Sequence, residues 1–287
     1  MKASIFLSFF LLVTLLAAEM NPNNSVRDFW FNGAEINRYD LTQARYGKLH
    51  SGHAEFIFVT EPFLIQEQVK HERGPGNSTD VLKLNALRTF NTGIYSYRTM
   101  TSTFRPIDLE SYPHALKTTT SVQDWCGQAF QQINRRENGW RAEVRSYFQN
   151  EGDQTIEIND VWLEDELWLL IRLDPDKLPI GQFQALPGSL YLRFAHKPHK
   201  SEVAVGALSS DKSERRYTIT YPALKRELRI YFGAQFPHII RRWEETDAQG
   251  TTTAILKNRI MNSYYWSENR PSDNKKRLQL GLEPIAD

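Results

Sequence analysis

The chain holds one cysteine in 287 residues. A lone thiol cannot close an internal disulfide, so stability must come from a packed core rather than covalent staples. An excess of charge of one sign is missing too: 35 Lys and Arg stand against 34 Asp and Glu. That balance excludes the basic surplus of a nucleic-acid binder and gives no general pull towards anionic head groups. The densest basic cluster, Lys275-Lys276-Arg277, reads as a solvated face. No apolar run reaches the ~20 residues that a membrane-spanning helix needs. Gly74-Pro75-Gly76 lacks the Lys-Ser/Thr and helix of a phosphate loop. No serine sits in a Gly-x-Ser-x-Gly elbow, and no cofactor motif is present.

What the chain does have begins at its start. Lys2 precedes an apolar run from Ile5 to Leu16, then Ala17, Ala18 and the polar Asn21-Pro22-Asn23-Asn24. A positive start, a short apolar stretch and small residues are the parts of a secretory signal peptide. Residues 1–18 are expected to be that signal, with cleavage near Ala17 or Ala18. The mature chain, 19–287, is expected to form a single β-rich domain exported to the periplasm or the extracellular space. Cys126 lies far from the apolar run, so no cysteine stands ready for a lipid anchor.

Period-two alternation recurs along the chain. Trp140, Ala142 and Val144 share one strand face, with Arg141, Glu143 and Arg145 on the other. Leu228, Ile230 and Phe232 form a second such face, Leu190, Leu192 and Phe194 a third, and Tyr217, Ile219 and Tyr221 a fourth. Ala54 to Val59 is apolar on both faces at its centre and reads as an inner strand. Turn signals at Ser51-Gly52, Asn138-Gly139 and Gln249-Gly250 punctuate the runs. A mainly β (α+β) fold follows: a curved antiparallel meander or half-barrel of about 10–11 strands. One helix, 160–172, is expected to pack on it. Asp160 would cap that helix, Leu163, Leu167, Leu170 and Ile171 would line one face, and Asp174-Pro175 would stop it.

Candidate chemistry is thin. Glu164, Asp165 and Glu166 are the densest carboxylates, but adjacent helical residues point three ways, and acids favour a helix start. His50/His53 and His196/His199 fall in expected turns without a third ligand at metal spacing. Trp125-Cys126-Gly127 would open a thioredoxin-type motif, but Ala129 occupies the second cysteine position. Cys126 stays a weak catalytic candidate if a histidine such as His114 approaches it. The threonines of 99–103 and 118–120 read as exposed strand faces. Phe56, Phe58, Phe194 and Trp243 are candidate apolar lining residues.

Four stretches carry a resemblance: Tyr39-Asp40-Leu41-Thr42-Gln43-Ala44-Arg45-Tyr46-Gly47, Val59-Thr60-Glu61-Pro62-Phe63, Met100-Thr101-Ser102-Thr103-Phe104, and Ser121-Val122-Gln123-Asp124-Trp125-Cys126-Gly127. As a set they resemble a family of exported bacterial proteins, mostly of the Bacteroidetes and often lipoproteins, commonly labelled "septum formation inhibitor Maf". True Maf enzymes are cytosolic nucleotide pyrophosphatases with a Ser-x-Ser-Pro-Arg-Arg motif that this chain lacks. The resemblance therefore implies export rather than nucleotide hydrolysis. The strand pattern is also similar to that of LolA-like lipoprotein carriers, which implies a sheet that encloses an apolar ligand. The resulting expectation is a non-enzymatic cell-envelope protein that binds an apolar or lipid-like ligand, with a lipid or lipoprotein as partner and no nucleic acid. The alternatives are an envelope hydrolase built on Cys126 or on the acids, and a structural or assembly factor.

Overall fold

The computed structural model describes residues 28–283. The expected signal peptide lies outside the described residues. Among the described residues, fifteen strands form one sheet. They are β1 (Ala34–Arg45), β2 (Lys48–Leu64), β3 (Ser78–Thr92), β4 (Tyr95–Pro106), β5 (Lys117–Gln123), β6 (Gln128–Arg136), β7 (Gly139–Ser146) and β8 (Gln154–Ile158). Then come β9 (Trp162–Leu163), β10 (Gly181–Leu186), β11 (Glu202–Ser210), β12 (Glu214–Tyr221), β13 (Arg226–Gly233), β14 (Ile240–Asp247) and β15 (Gly250–Ser263). Helix α1 spans Glu164–Leu173, α2 Ser189–Phe194 and α3 Lys275–Gln279. Strands β1 to β8 form one antiparallel meander and β10 to β15 another; β1 pairs with β15 to join them, and β9 pairs parallel with β10.

The hairpins follow from local chemistry. Between β1 and β2, Tyr46 and Gly47 both have positive φ (54° and 65°), the arrangement whose twist matches flanking strands. Between β3 and β4, Gly93 takes φ 65° at the first turn position.

The two edges of the sheet, β8 and β9, are consecutive in the chain. Four Cα steps from Ile158 to Trp162 span at most about 15 Å. Chain continuity therefore curls the sheet until its edges nearly meet, although the ladder stays unclosed. Trp140, Ile158, Val161, Leu163, Leu186 and Leu192 cluster at this seam. The Trp140 indole N–H donates to the Val161 carbonyl at 2.8 Å.

The expected mainly β, curved antiparallel sheet is present, with differences of detail. The strands outnumber the expected ten or eleven because polar residues interrupt the apolar alternation. The inner face of β1 carries Glu35, Asn37 and Gln43, and that of β4 carries Thr99, Thr103 and Arg105, all buried. Those threonines, with Thr118 and Thr120 of β5, face inward rather than to solvent. Leu190–Phe194 is not a strand but helix α2. Its first turn is pinned: the Ser189 N–H and O–H donate to the Asp165 carboxylate at 3.0 and 2.5 Å. Five residues of alternation cannot by themselves distinguish a strand from one helical turn.

Ser51-Gly52 lies inside β2 rather than at a turn. A Cβ on Gly52 would come 2.3 Å from the Thr89 carbonyl oxygen and 2.7 Å from the Phe90 Cβ, so glycine there permits a close strand approach. Gly52→Ala is expected to cost about 1–3 kcal/mol of stability through overpacking. A urea midpoint equal to the wild type's would show that β2 and β3 can part at no cost.

Helix α1 lies within the curl of the sheet. Leu167, Leu169, Leu170 and Ile171 are fully buried although they point different ways round the axis, as in a helix surrounded by protein. It begins at Glu164, not at Asp160. Glu166 caps its start by accepting the Leu163 N–H at 3.1 Å. Asp160 instead accepts from Arg135 at 2.6 Å. Asp174 ends the helix as expected.

Candidate functional site

Alternate residues of β5, β6 and β7 point inward: Thr120 and Val122, Ala129 and Gln131, Ala142 and Val144. At one end of this wall the segment after α2 folds over them. His196 adopts a left-handed conformation (φ 50°), and the Lys197 N–H returns to the Leu192 carbonyl at 2.9 Å. The reversal leaves a cavity of about 180 Å³ between the sheet wall, α2 and the loop that carries Asn150 and Glu151.

The polar groups of this cavity are unevenly satisfied. Glu151 accepts from Ser146 at 2.7 Å, from His196 at 2.5 Å and from Arg193. Burial pushes its carboxyl up, but those three donors outweigh burial and hold it below the usual carboxylate range. Burial pushes the His199 imidazole down to about 4, against a smaller opposing pull from Glu151, so it is neutral at pH 7. His199 Nε2 bonds to the Gln131 side-chain oxygen. The Gln131 nitrogen, on a side chain only 4% exposed, has no partner. Val122, Ala129, Val144 and Leu192 supply an apolar lining.

Three charge clusters are buried around α1. Arg226 grips Glu164 through two bonds of 2.5 and 2.6 Å and reaches Glu245 at 2.8 Å. Arg172 grips Glu35 at 2.8 and 2.7 Å. Glu166 accepts from Arg105, from His114 at 2.8 Å and from the Ala115 N–H at 2.6 Å. The three adjacent acids do point three ways and do open the helix. Each is nonetheless committed to its own buried or half-buried partner. Part of Asp165 stays accessible, yet the packing around it pushes its carboxyl up to about 6 against the pull of Ser189. A second cavity beside it measures about 50 Å³, room for little more than ordered water.

Three of the four expected lining aromatics pack against α1. Phe56 stacks on Trp243 at 4.8 Å, Trp168 meets both edge-on, and the Arg172 guanidinium lies 4.3 Å from the Phe58 ring. The open, dry hollow expected beneath the helix is absent among the described residues, because α1 itself fills that space. Phe194 packs near Tyr97 (5.7 Å) with Arg45 over its ring. Cys126 is exposed on the turn between β5 and β6, its N–H held by Asp124 at 2.6 Å. His114 lies beyond the other end of β5 and is held by Glu166, so the two do not form a thiol–histidine pair. His50 and His53 fall within β2 rather than in a turn. An odd separation places them on opposite faces. His196 and His199 both line the 180 Å³ cavity.

Gln131 escaped the sequence reading, as did the buried arginines. The available signal was phase. Gln131 falls in step with Ala129 and Ile133, and Arg226 in step with Leu228, Ile230 and Phe232. A polar residue in the apolar phase of a strand must find a partner inside.

No family model matches the chain, and no curated protein matches it. The fold defines a class, a β-barrel-like antiparallel sheet that curls without closing. A solved β-barrel-like protein of the domain of unknown function DUF1849 from Brucella abortus has this architecture. It matches with a TM-score of 0.50 over 80% of this chain and 98% of that one, at 10% identity. At such identity the likeness concerns the fold and not the chemistry.

Proposed function

We propose that the protein is an exported binding protein of the cell envelope whose small, partly apolar ligand sits in the 180 Å³ cavity. The observation that carries this reading is the unpartnered Gln131 nitrogen at the cavity wall. Leaving a buried donor unpaired costs about 1–3 kcal/mol, which a ligand acceptor would offset. The aliphatic lining gives such a ligand an apolar surface to cover. The volume is close to the ~150 Å³ that accommodates benzene, so the ligand is about the size of one ring or a short branched chain. In this cavity the lipid-like reading narrows to a fragment of that size. Export is supported by the Lys2 and Ile5–Leu16 pattern and by the resemblance to exported Bacteroidetes-type proteins. The thiol-hydrolase alternative loses support because Cys126 and His114 lie apart.

Native mass spectrometry of protein purified gently from its own host should show a small non-covalent adduct. Gln131→Leu should remove it, with affinity lowered roughly 10- to 100-fold by loss of the hydrogen bond. The variant also removes the oxygen that pairs with His199 Nε2, so it should cost about 1–3 kcal/mol of stability, and circular dichroism should show it folded before binding is read. A clean apo mass, together with no thermal shift across a panel of small acids, alcohols and amides, would overturn the proposal.

A further inference from the structure

We infer that the ligand of this cavity is a compact monoanion, a carboxylate on a short apolar body; this rests on the binding reading above. Charges around the cavity decide the sign. The Arg193 charge is met by Glu151, at a carboxylate that also takes His196 and Ser146 and has little capacity left to accept. His199 is neutral. Arg145 turns its guanidinium to the Val144 and Gln154 carbonyls at 2.9 and 3.1 Å and lies within 3.9 Å of Glu143 and Asp153. Lys197, exposed on the loop that covers the cavity, has no carboxylate within ion-pair distance among the described residues and is met by solvent alone. The cavity lining thus carries one cation without a carboxylate partner.

The unpartnered amide and the uncompensated ammonium are both donors. Opposite them the ligand must offer acceptors, and a carboxylate has two oxygens and one charge. A phosphate monoester would bring nearly two charges to a site with one to spare. The cavity volume limits the remainder to about a phenyl ring or a branched four- or five-carbon chain. The aliphatic lining favours that remainder over a second polar group.

Isothermal titration calorimetry with benzoate and isovalerate, set against the isosteric neutral amides benzamide and isovaleramide, tests the charge directly. At least one carboxylate should bind at least tenfold more tightly than its amide. Lys197→Gln should abolish that preference by weakening the carboxylate far more than the amide, and Gln131→Leu should weaken both. Raising the salt from 50 to 500 mM should weaken the carboxylate and leave the amide unmoved. Benzyl phosphate should bind more weakly than benzoate. Equal binding of acid and amide, tighter binding of benzyl phosphate, or a preference that survives Lys197→Gln would overturn the monoanion assignment while the binding reading stands. If no probe binds but the host-purified protein carries a neutral adduct, the assignment fails alone. If no probe binds and the host protein is also bare, both fail.

Discussion

Arg226→Met should lower the stability of the fold by about 3–5 kcal/mol, the cost of removing one partner from a buried ion pair. Arg226 is 2% exposed and neutralises Glu164 and Glu245 together. Methionine fills much of the same volume, so packing loss is small and the effect reports the charges. Glu164 would be left with no cation, while Glu245 would keep Arg88 at 3.3 Å. For a chain of this size the melting temperature should drop by roughly 10 °C. Replacing Glu164 by Gln in the same chain should restore most of the loss, because the uncompensated charge rather than the missing contact is the main cost. A double variant no more stable than Arg226→Met would show that the arginine acts through packing instead.

The second large effect is on the pH dependence of stability. Burial alone would raise the carboxyls of Glu35 and Glu245. Arg172 and Arg259 at the first, and Arg226 and Arg88 at the second, outweigh burial and bring each from its ordinary 4.5 to about 2. The unfolded chain therefore takes up these protons first as pH falls. Their contribution is complete above about pH 5 and is lost as pH drops towards 2, on the order of 3 kcal/mol for each group. Asp165 acts in the opposite sense. Its carboxyl is raised from 3.8 to about 6, so the folded state holds the proton more tightly and stability falls as pH rises between about 4 and 6. His199, lowered from 6.5 to about 4 by burial, acts with the glutamates: its contribution is present above about pH 6.5 and is lost as pH falls towards 4, which offsets Asp165. Urea midpoints measured from pH 2.5 to pH 8 should thus fall steeply below about pH 4.5 and stay nearly level above it. Asp165→Asn should unmask the His199 rise between about pH 4 and 6.5. A wild-type protein as stable at pH 3 as at pH 7, or an Asp165→Asn curve of the same shape as the wild type's, would contradict this account.

The strands easiest to read in the sequence were those with an unbroken apolar run along the inner face. β7, β12 and β13 place Trp140, Tyr217, Ile219, Leu228, Ile230 and Phe232 inside as their alternation requires. β4 and β1 were harder, because Thr99, Thr103, Glu35 and Asn37 occupy inward positions that polarity alone assigns to solvent. The candidate site was legible only in fragments. His196 and His199 stood out as a pair, but as a weak metal motif. Gln131 carried no signal except its phase, and that phase has meaning only once the curvature of β6 is known.

By itself the sequence determined an antiparallel, β-rich chain with a central helix, no disulfide and apolar faces in fixed phase. These are local properties: period two in strands, turn chemistry between them and a count of cysteines. Tertiary structure alone decided that the curl of the sheet takes the helix into its interior rather than onto a face. It also decided which acids meet which arginines, across separations of 61, 62 and 137 residues. The cavity belongs to the same level, since Gln131 meets His199 only when the loop after α2 folds back onto β6. Such contacts depend on the summed twist and packing of fifteen strands, which no window of sequence contains.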